Sequence, residues 1–173
     1  RAGSFRVNLT HSARSLLATP GSNPRMIEKA LASEADVVMI DLEDAVAPDE
    51  KVSARDHIAK ALREGDWRGR PRTFRMNALD TPWFLWDLGF VIEAAFGGVD
   101  MVVVPKVSGR DDIHVVETIL ASLEDAVGAN HAIGIDAQIE SAAGLANCEA
   151  IASASDRVEA LTFGPGDYAA SVR

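Results

Sequence analysis

The chain has little with which to build disulfide or soft-metal chemistry. Cys148 is the single cysteine of 173 residues, so no internal disulfide can form, which fits a reducing cytoplasm. His11, His57, His114 and His131 show no ligand spacing, and none falls at the end of a predicted strand, so a zinc centre is not expected. Basic residues are outnumbered: 17 Lys and Arg against 26 Asp and Glu leave a net charge of −9. Nucleic-acid binding rests on Lys and Arg neutralising phosphates, so nucleic acid is not the expected partner. A small anion is still admissible, because it needs only a local positive pocket. No apolar run approaches the ~20 residues of a membrane-spanning helix. Arg1 to His11 lack the apolar core of a secretion signal. No Gly-x-Gly-x-x-Gly follows the first predicted strand, which weakens a dinucleotide-binding reading.

What is present is an alternation of short β-rich runs and amphipathic helices. The strand candidates are Ser15–Ala18, Val37–Leu42, Thr73–Met76, Met101–Pro105, Ile133–Ile139 and Ala160–Phe163. Val37-Val38-Met39-Ile40 and Met101-Val102-Val103-Val104 are continuous apolar runs, as expected of parallel strands buried on both faces. Asn23-Pro24 reads as an N-cap followed by proline at the first helical position. Helical spacing links Ala54, Ile58, Ala61 and Leu62, then Leu85, Leu88, Ile92, Ala95 and Phe96, then Val116, Ile119, Leu120, Leu123 and Val127. Leu145, Cys148 and Ala152 share such a spacing, so Cys148 is expected in the core. Trp83 and Trp86 are expected there too.

Alternating β and α admits an open doubly wound sheet or a closed barrel. The expected fold is α/β, a (β/α)8 TIM barrel present as about six βα units in a single domain over residues 1–173. A complete barrel takes about 250 residues, so its C-terminal part is expected to be missing. After the sixth strand, Gly164-Pro165-Gly166-Asp167 reads as a turn with no further helix.

Charged residues gather where the strands end: Asp41-Leu42-Glu43-Asp44, Arg75-Met76-Asn77, Pro105-Lys106, Glu140-Ser141 and Asp167. In α/β folds the carboxyl ends of the strands are where ligands collect. An isolated acid there often only caps the next helix, as Asp44 or Ser141 would. Convergence of five such ends on one face is harder to explain by capping. Mg²⁺ takes oxygen ligands and commonly one or two carboxylates, which Glu140 and Asp167 could supply. Arg75 could clamp a substrate carboxylate bidentately, while Glu43 and Asp44 could orient metal-bound water. These three are the catalytic candidates.

In order, Thr19-Pro20-Gly21-Ser22, Asp41 to Pro48, Arg75 to Pro82, Pro105-Lys106-Val107, Glu140 to Gly144 and Phe163 to Asp167 resemble the citrate lyase β-subunit-like branch of the HpcH/HpaI aldolase superfamily, on the side of the malyl-CoA/β-methylmalyl-CoA lyases. The likeness runs from about Arg14 to Ser171. It implies a barrel, Mg²⁺ (or Mn²⁺) on Glu140 and Asp167, and Arg75 and Gly166 against the 2-oxo acid. It also implies a CoA thioester over the first-strand loop, where Lys29 matches a family contact. Arg25 is added from its charge and position beside that loop. Pyruvate aldolases of the superfamily carry Glu-His where this chain has Glu43-Asp44, which favours the thioester branch.

The activity implied is a magnesium-dependent carbon–carbon lyase of a malyl-CoA-type thioester, in a cytoplasmic homo-oligomer, trimer or hexamer. The family's further acidic residue comes from a C-terminal segment, often of a neighbouring subunit. A malyl-CoA thioesterase on the same scaffold and a citrate-lyase-type β subunit working only within a complex are the alternatives.

Overall fold

The computed structural model describes residues 13–173; His11 lies outside them. Six strands, β1 (Leu16–Pro20), β2 (Val37–Asp41), β3 (Thr73–Arg75), β4 (Met101–Val104), β5 (Gly134–Ile139) and β6 (Val158–Phe163), form one sheet in the order β1-β2-β3-β4-β5-β6. Every pairing is parallel. Between them run α1 (Pro24–Leu31), α2 (Lys51–Glu64), α3 (Phe84–Ala94), α4 (Arg110–Val127), α5 (Ala142–Ala146) and α6 (Cys148–Ala152), with α7 (Pro165–Ser171) after β6. A doubly wound sheet reverses its strand order where its helices change faces. Here the order never reverses, so the helices collect on one face, as in a barrel wall.

Strand alternation separates the two faces. Val38, Ile40, Phe74, Val102, Val104, Ile135, Ala137 and Ile139 join Ile27, Ile58, Leu62, Leu88, Ile92, Val116 and Leu120 of the helices in one core cluster. The alternate residues Met39, Thr73, Met101 and Val103 stand apart from that cluster and are buried as well. The sheet therefore curves around them, forming part of a lumen. Register places Asp41, Arg75, Val103 and Asp136 side by side there. Among the described residues no helix is long and apolar enough to cross a membrane.

The predicted strands agree with the observed ones to within two residues at each end. Asn23 caps α1 as expected, its Oδ1 accepting from Met26 N at 3.2 Å. Other expectations need correction. Ser171 ends a helix rather than a turn, because Pro165 enters at the first helical position and starts α7. On α3 the buried face is Leu88, Val91 and Ile92, whereas Leu85 and Phe96 are exposed. Phe96 lies past the helix end at φ 50°, where helical spacing no longer applies. Trp86 is exposed and Trp83 half-buried. Cys148 is only half-buried beside exposed Leu145 and Ala152, because the helix breaks at Asn147 and Ile151 takes the core position.

A buried ionic network fixes the end of β3. Asp87 of α3 accepts from Arg55 Nε of α2 at 2.8 Å and from Asn77 N and Nδ2 at 3.0 and 2.6 Å. Asp87 is fully buried, so removing it strands a guanidinium and an amide inside. Asp87→Ala should lower the unfolding free energy of the intact protein by about 3–5 kcal/mol, as when one partner of a buried ion pair is deleted. Urea denaturation checks this; a loss below ~1 kcal/mol, the scale of a surface pair, would show the network to be dispensable.

Candidate active site

β2 ends at Asp41 and β3 at Arg75, and the parallel register sets the two opposite each other. Arg75 Nε donates to Asp41 Oδ1 at 2.7 Å and Nη2 to Oδ2 at 2.6 Å, a two-pronged contact that lysine cannot make. The same carboxylate accepts from the backbone of Glu43 at 2.8 Å and Ala45 at 3.0 Å. One side chain thus orients both the arginine and the loop after β2. Arg75 Nη1 reaches Gln138 Oε1 of β5 at 3.3 Å and lies 2.9 Å from Glu43 Oε2. Burial would raise the Asp41 carboxyl, but the hydrogen bonds and charge of Arg75 hold it below the usual carboxylate range. Burial likewise opposes the charge of Arg75, and Asp41 overcomes that, raising its pKa.

Glu43 is buried between two cations. Lys106 Nζ lies 2.8 Å from its Oε1 and Arg75 Nη1 2.9 Å from its Oε2, so each carboxylate oxygen faces one cation. Burial pushes the Glu43 carboxyl up despite both neighbours. Beneath the loop, buried Lys51 donates to Leu42 O at 2.7 Å and Glu43 O at 3.0 Å, with the Trp83 ring 5.0 Å away. Burial lowers the Lys51 pKa, and the charges of Asp87, Asp41 and Glu43 resist it.

Lys106 stands just beyond β4 at φ 56°, a left-handed conformation that costs a non-glycine residue about 1–3 kcal/mol and persists where surroundings hold it. Its N–H donates to Glu140 Oε2 at 3.0 Å, while its ammonium faces Glu43 and, at 3.8 Å, Asp44. Glu140 follows β5 and is 5% exposed. Burial raises its carboxyl, and the negative charge of Asp167 raises it further. Asp167 is in the first turn of α7. Gly164 makes this approach possible: a Cβ there would sit 2.5 Å from Glu140 Oε1.

The donor set suits a hard divalent cation. Among the described residues, Asp41, Glu43, Asp44, Glu140 and Asp167 stand with Lys51, Arg75 and Lys106 in one electrostatic cluster, an excess of negative charge that such an ion would neutralise. Among the described residues no group of three or more His, Cys, Asp or Glu is placed to hold an ion. Mg²⁺ commonly shares one or two carboxylates with water and substrate, a demand that Glu140 and Asp167 could meet.

The structure therefore brings together Glu43, Asp44, Arg75, Glu140 and Asp167. Asp44 is exposed at the rim and does not cap a helix, whereas Ser141 does, accepting from Gly144 N at 3.0 Å. Arg25 and Lys29 are exposed on α1, outside the ionic cluster, and Gly166 is exposed on α7. The sequence alone assigns no role to Asp41 or Lys51 and marks Lys106 only as a strand end. Asp41 is one of three acids within four residues, and Lys51 reads like any solvated lysine opening a helix.

Residues 14–173 match the HpcH/HpaI aldolase/citrate lyase family. The chain belongs to that family. An L-malyl-CoA/β-methylmalyl-CoA lyase of Cereibacter sphaeroides is 42% identical over 153 residues, covering 88% of this chain and 48% of the relative. A (3S)-malyl-CoA thioesterase of the same species is 37% identical over 161 residues, covering 92% and 51%. The chain spans about half the length of these curated relatives. A Mycobacterium tuberculosis protein solved with magnesium and pyruvate superposes with a TM-score of 0.72 at 27% identity, over 95% of this chain and 59% of that one.

Asp41 and Asp136 share one lumen layer, are 1% and 2% exposed, and shift in opposite directions. Burial raises Asp136, whose Oδ2 accepts from Thr162 Oγ1 at 2.8 Å while Oδ1 has no hydrogen-bond partner among the described residues. A depressed carboxyl contributes stability above its unfolded pKa of ~3.9 and loses it as pH falls through the folded value. A raised one destabilises above its folded pKa, and acidification relieves this down to ~3.9. Asp41→Asn should therefore cost the intact protein about 3–5 kcal/mol at pH 7. Asp136→Asn should cost little and remove the gain in stability on acidification toward pH ~4. Urea midpoints from pH 7 to pH ~3 test both; equal losses at pH 7 would contradict the assignment.

Proposed function

We propose that the protein is a magnesium-dependent carbon–carbon lyase, cleaving a malyl-CoA-type thioester to a 2-oxo acid such as glyoxylate and an acyl-CoA, or condensing the two. Residues 13–173 would supply six of the eight units of one barrel domain, in a homo-oligomer. The observation that carries the reading is buried Glu140 beside the charge of Asp167, next to the Asp41–Arg75 pair. The family and the lyase relatives support it.

In cleavage a base takes the hydroxyl proton, the O–H electron pair closes the oxo acid's C=O, and the carbon–carbon pair passes to the thioester α-carbon as an enolate that takes a proton from solvent. Magnesium on Glu140 and Asp167 would supply polarisation of the C–O group. Arg75, immobilised by Asp41 and Gln138, presents a fixed positive charge to the oxo acid, with little reorganisation as charge develops. Glu43 stays fixed by Arg75 and Lys106 and orients water at the site. Lys29 and Arg25, exposed on α1, would meet the phosphates of CoA.

The thioesterase relative supports a second reading in which water attacks the thioester. The intact protein should convert malyl-CoA to glyoxylate and acetyl-CoA only with Mg²⁺, and Arg75→Lys should lower kcat/KM by about 10²–10³-fold. Free CoA and malate without glyoxylate would replace the lyase with the thioesterase. No turnover of malyl-CoA would refute both for this substrate and point to a subunit role or another acyl group.

A further inference from the structure

We infer that the ammonium of Lys106 binds the carboxylate of the 2-oxo acid, a role that rests on the lyase reading above. The cations of the described site are not equally available. Lys51 is buried and donates to two backbone carbonyls. Arg75, which would face the charge developing on the oxo acid's C–O group, already holds Asp41, Gln138 and Glu43, with 10% of its side chain exposed, and leaves the carboxylate to another cation. Lys106 keeps 44% of its side chain exposed. An ammonium carries three donors. Here one engages Glu43 Oε1 at 2.8 Å, and Asp44 stands at 3.8 Å. Donors remain for an incoming anion.

The backbone of Lys106 ties the ammonium to the right place. Its amide is on Glu140 Oε2 and its Nζ on Glu43, so one residue reaches from the proposed magnesium ligand to the β2 loop. The charge of Lys106 acts on Glu140, so an anion held beside Glu140 lies within its field. Glycine would take φ 56° at less cost, so a lysine in that conformation signals a use for its side chain.

Lys106→Gly is the informative variant, because it keeps the amide on Glu140 and relieves the backbone while deleting the ammonium. Calorimetry on the intact protein would measure Mg²⁺ alone, then glyoxylate and acetyl-CoA separately in Mg²⁺ buffer. Glyoxylate binding should weaken on the order of 10–100-fold, the loss of one charge-assisted hydrogen bond. Mg²⁺ and acetyl-CoA affinities should stay within about threefold of wild type, and Lys106→Arg should recover part of the glyoxylate affinity. Unchanged glyoxylate affinity in Lys106→Gly would overturn the inference, as would an equal loss of Mg²⁺ affinity, which would make Lys106 act only through Glu140. Failure of the wild type itself to bind glyoxylate would overturn the lyase reading along with it, a result distinct from wild type and variant binding alike.

Discussion

The site hangs on the pairing of Asp41 with Arg75 across β2 and β3. Two hydrogen bonds of 2.7 and 2.6 Å join them, and both groups are almost out of reach of solvent. A buried pair of this kind gains little over an apolar filling, but either member left alone is a charge without water. Everything else depends on that asymmetry. Asp41 spends its remaining acceptor capacity on the Glu43 and Ala45 amides, so the β2 loop takes its shape from the arginine's partner. Arg75, immobilised on one side, can hold Glu43 and Gln138 on the other.

Around this pair the charges are unbalanced. Burial raises both Glu43 and Glu140, and each still has a cation or backbone amide at close range. A globular protein leaves carboxylates in such surroundings where they do chemistry more often than where they hold structure.

Much of the fold was legible in sequence. Apolar runs such as Val37 to Ile40 and Met101 to Val104 mark strands buried on both sides, and five strand ends carried the charges that converge. Roles within the charged clusters were not legible. Asp41-Leu42-Glu43-Asp44 gives no hint that the first acid is the buried clamp, because that follows from the β2–β3 register. Asp136 is hidden inside the run from Ile133 to Ile139, where an acid in the lumen cannot be told from one at an edge. The left-handed turn at Lys106 has no glycine to announce it. Phe96 failed for the converse reason: its spacing was helical, but the helix had ended two residues earlier.

Val103 is the least chemical member of the layer that holds Asp41, Arg75 and Asp136. Arg75 on β3 reaches Gln138 on β5, so its guanidinium passes over β4, where Val103 is its register partner. An acid or amide at 103 would intercept that reach, and a large side chain would block it. Communication between the two halves of the site therefore runs across an insulating gap, kept open by a side chain with nothing to offer a hydrogen bond.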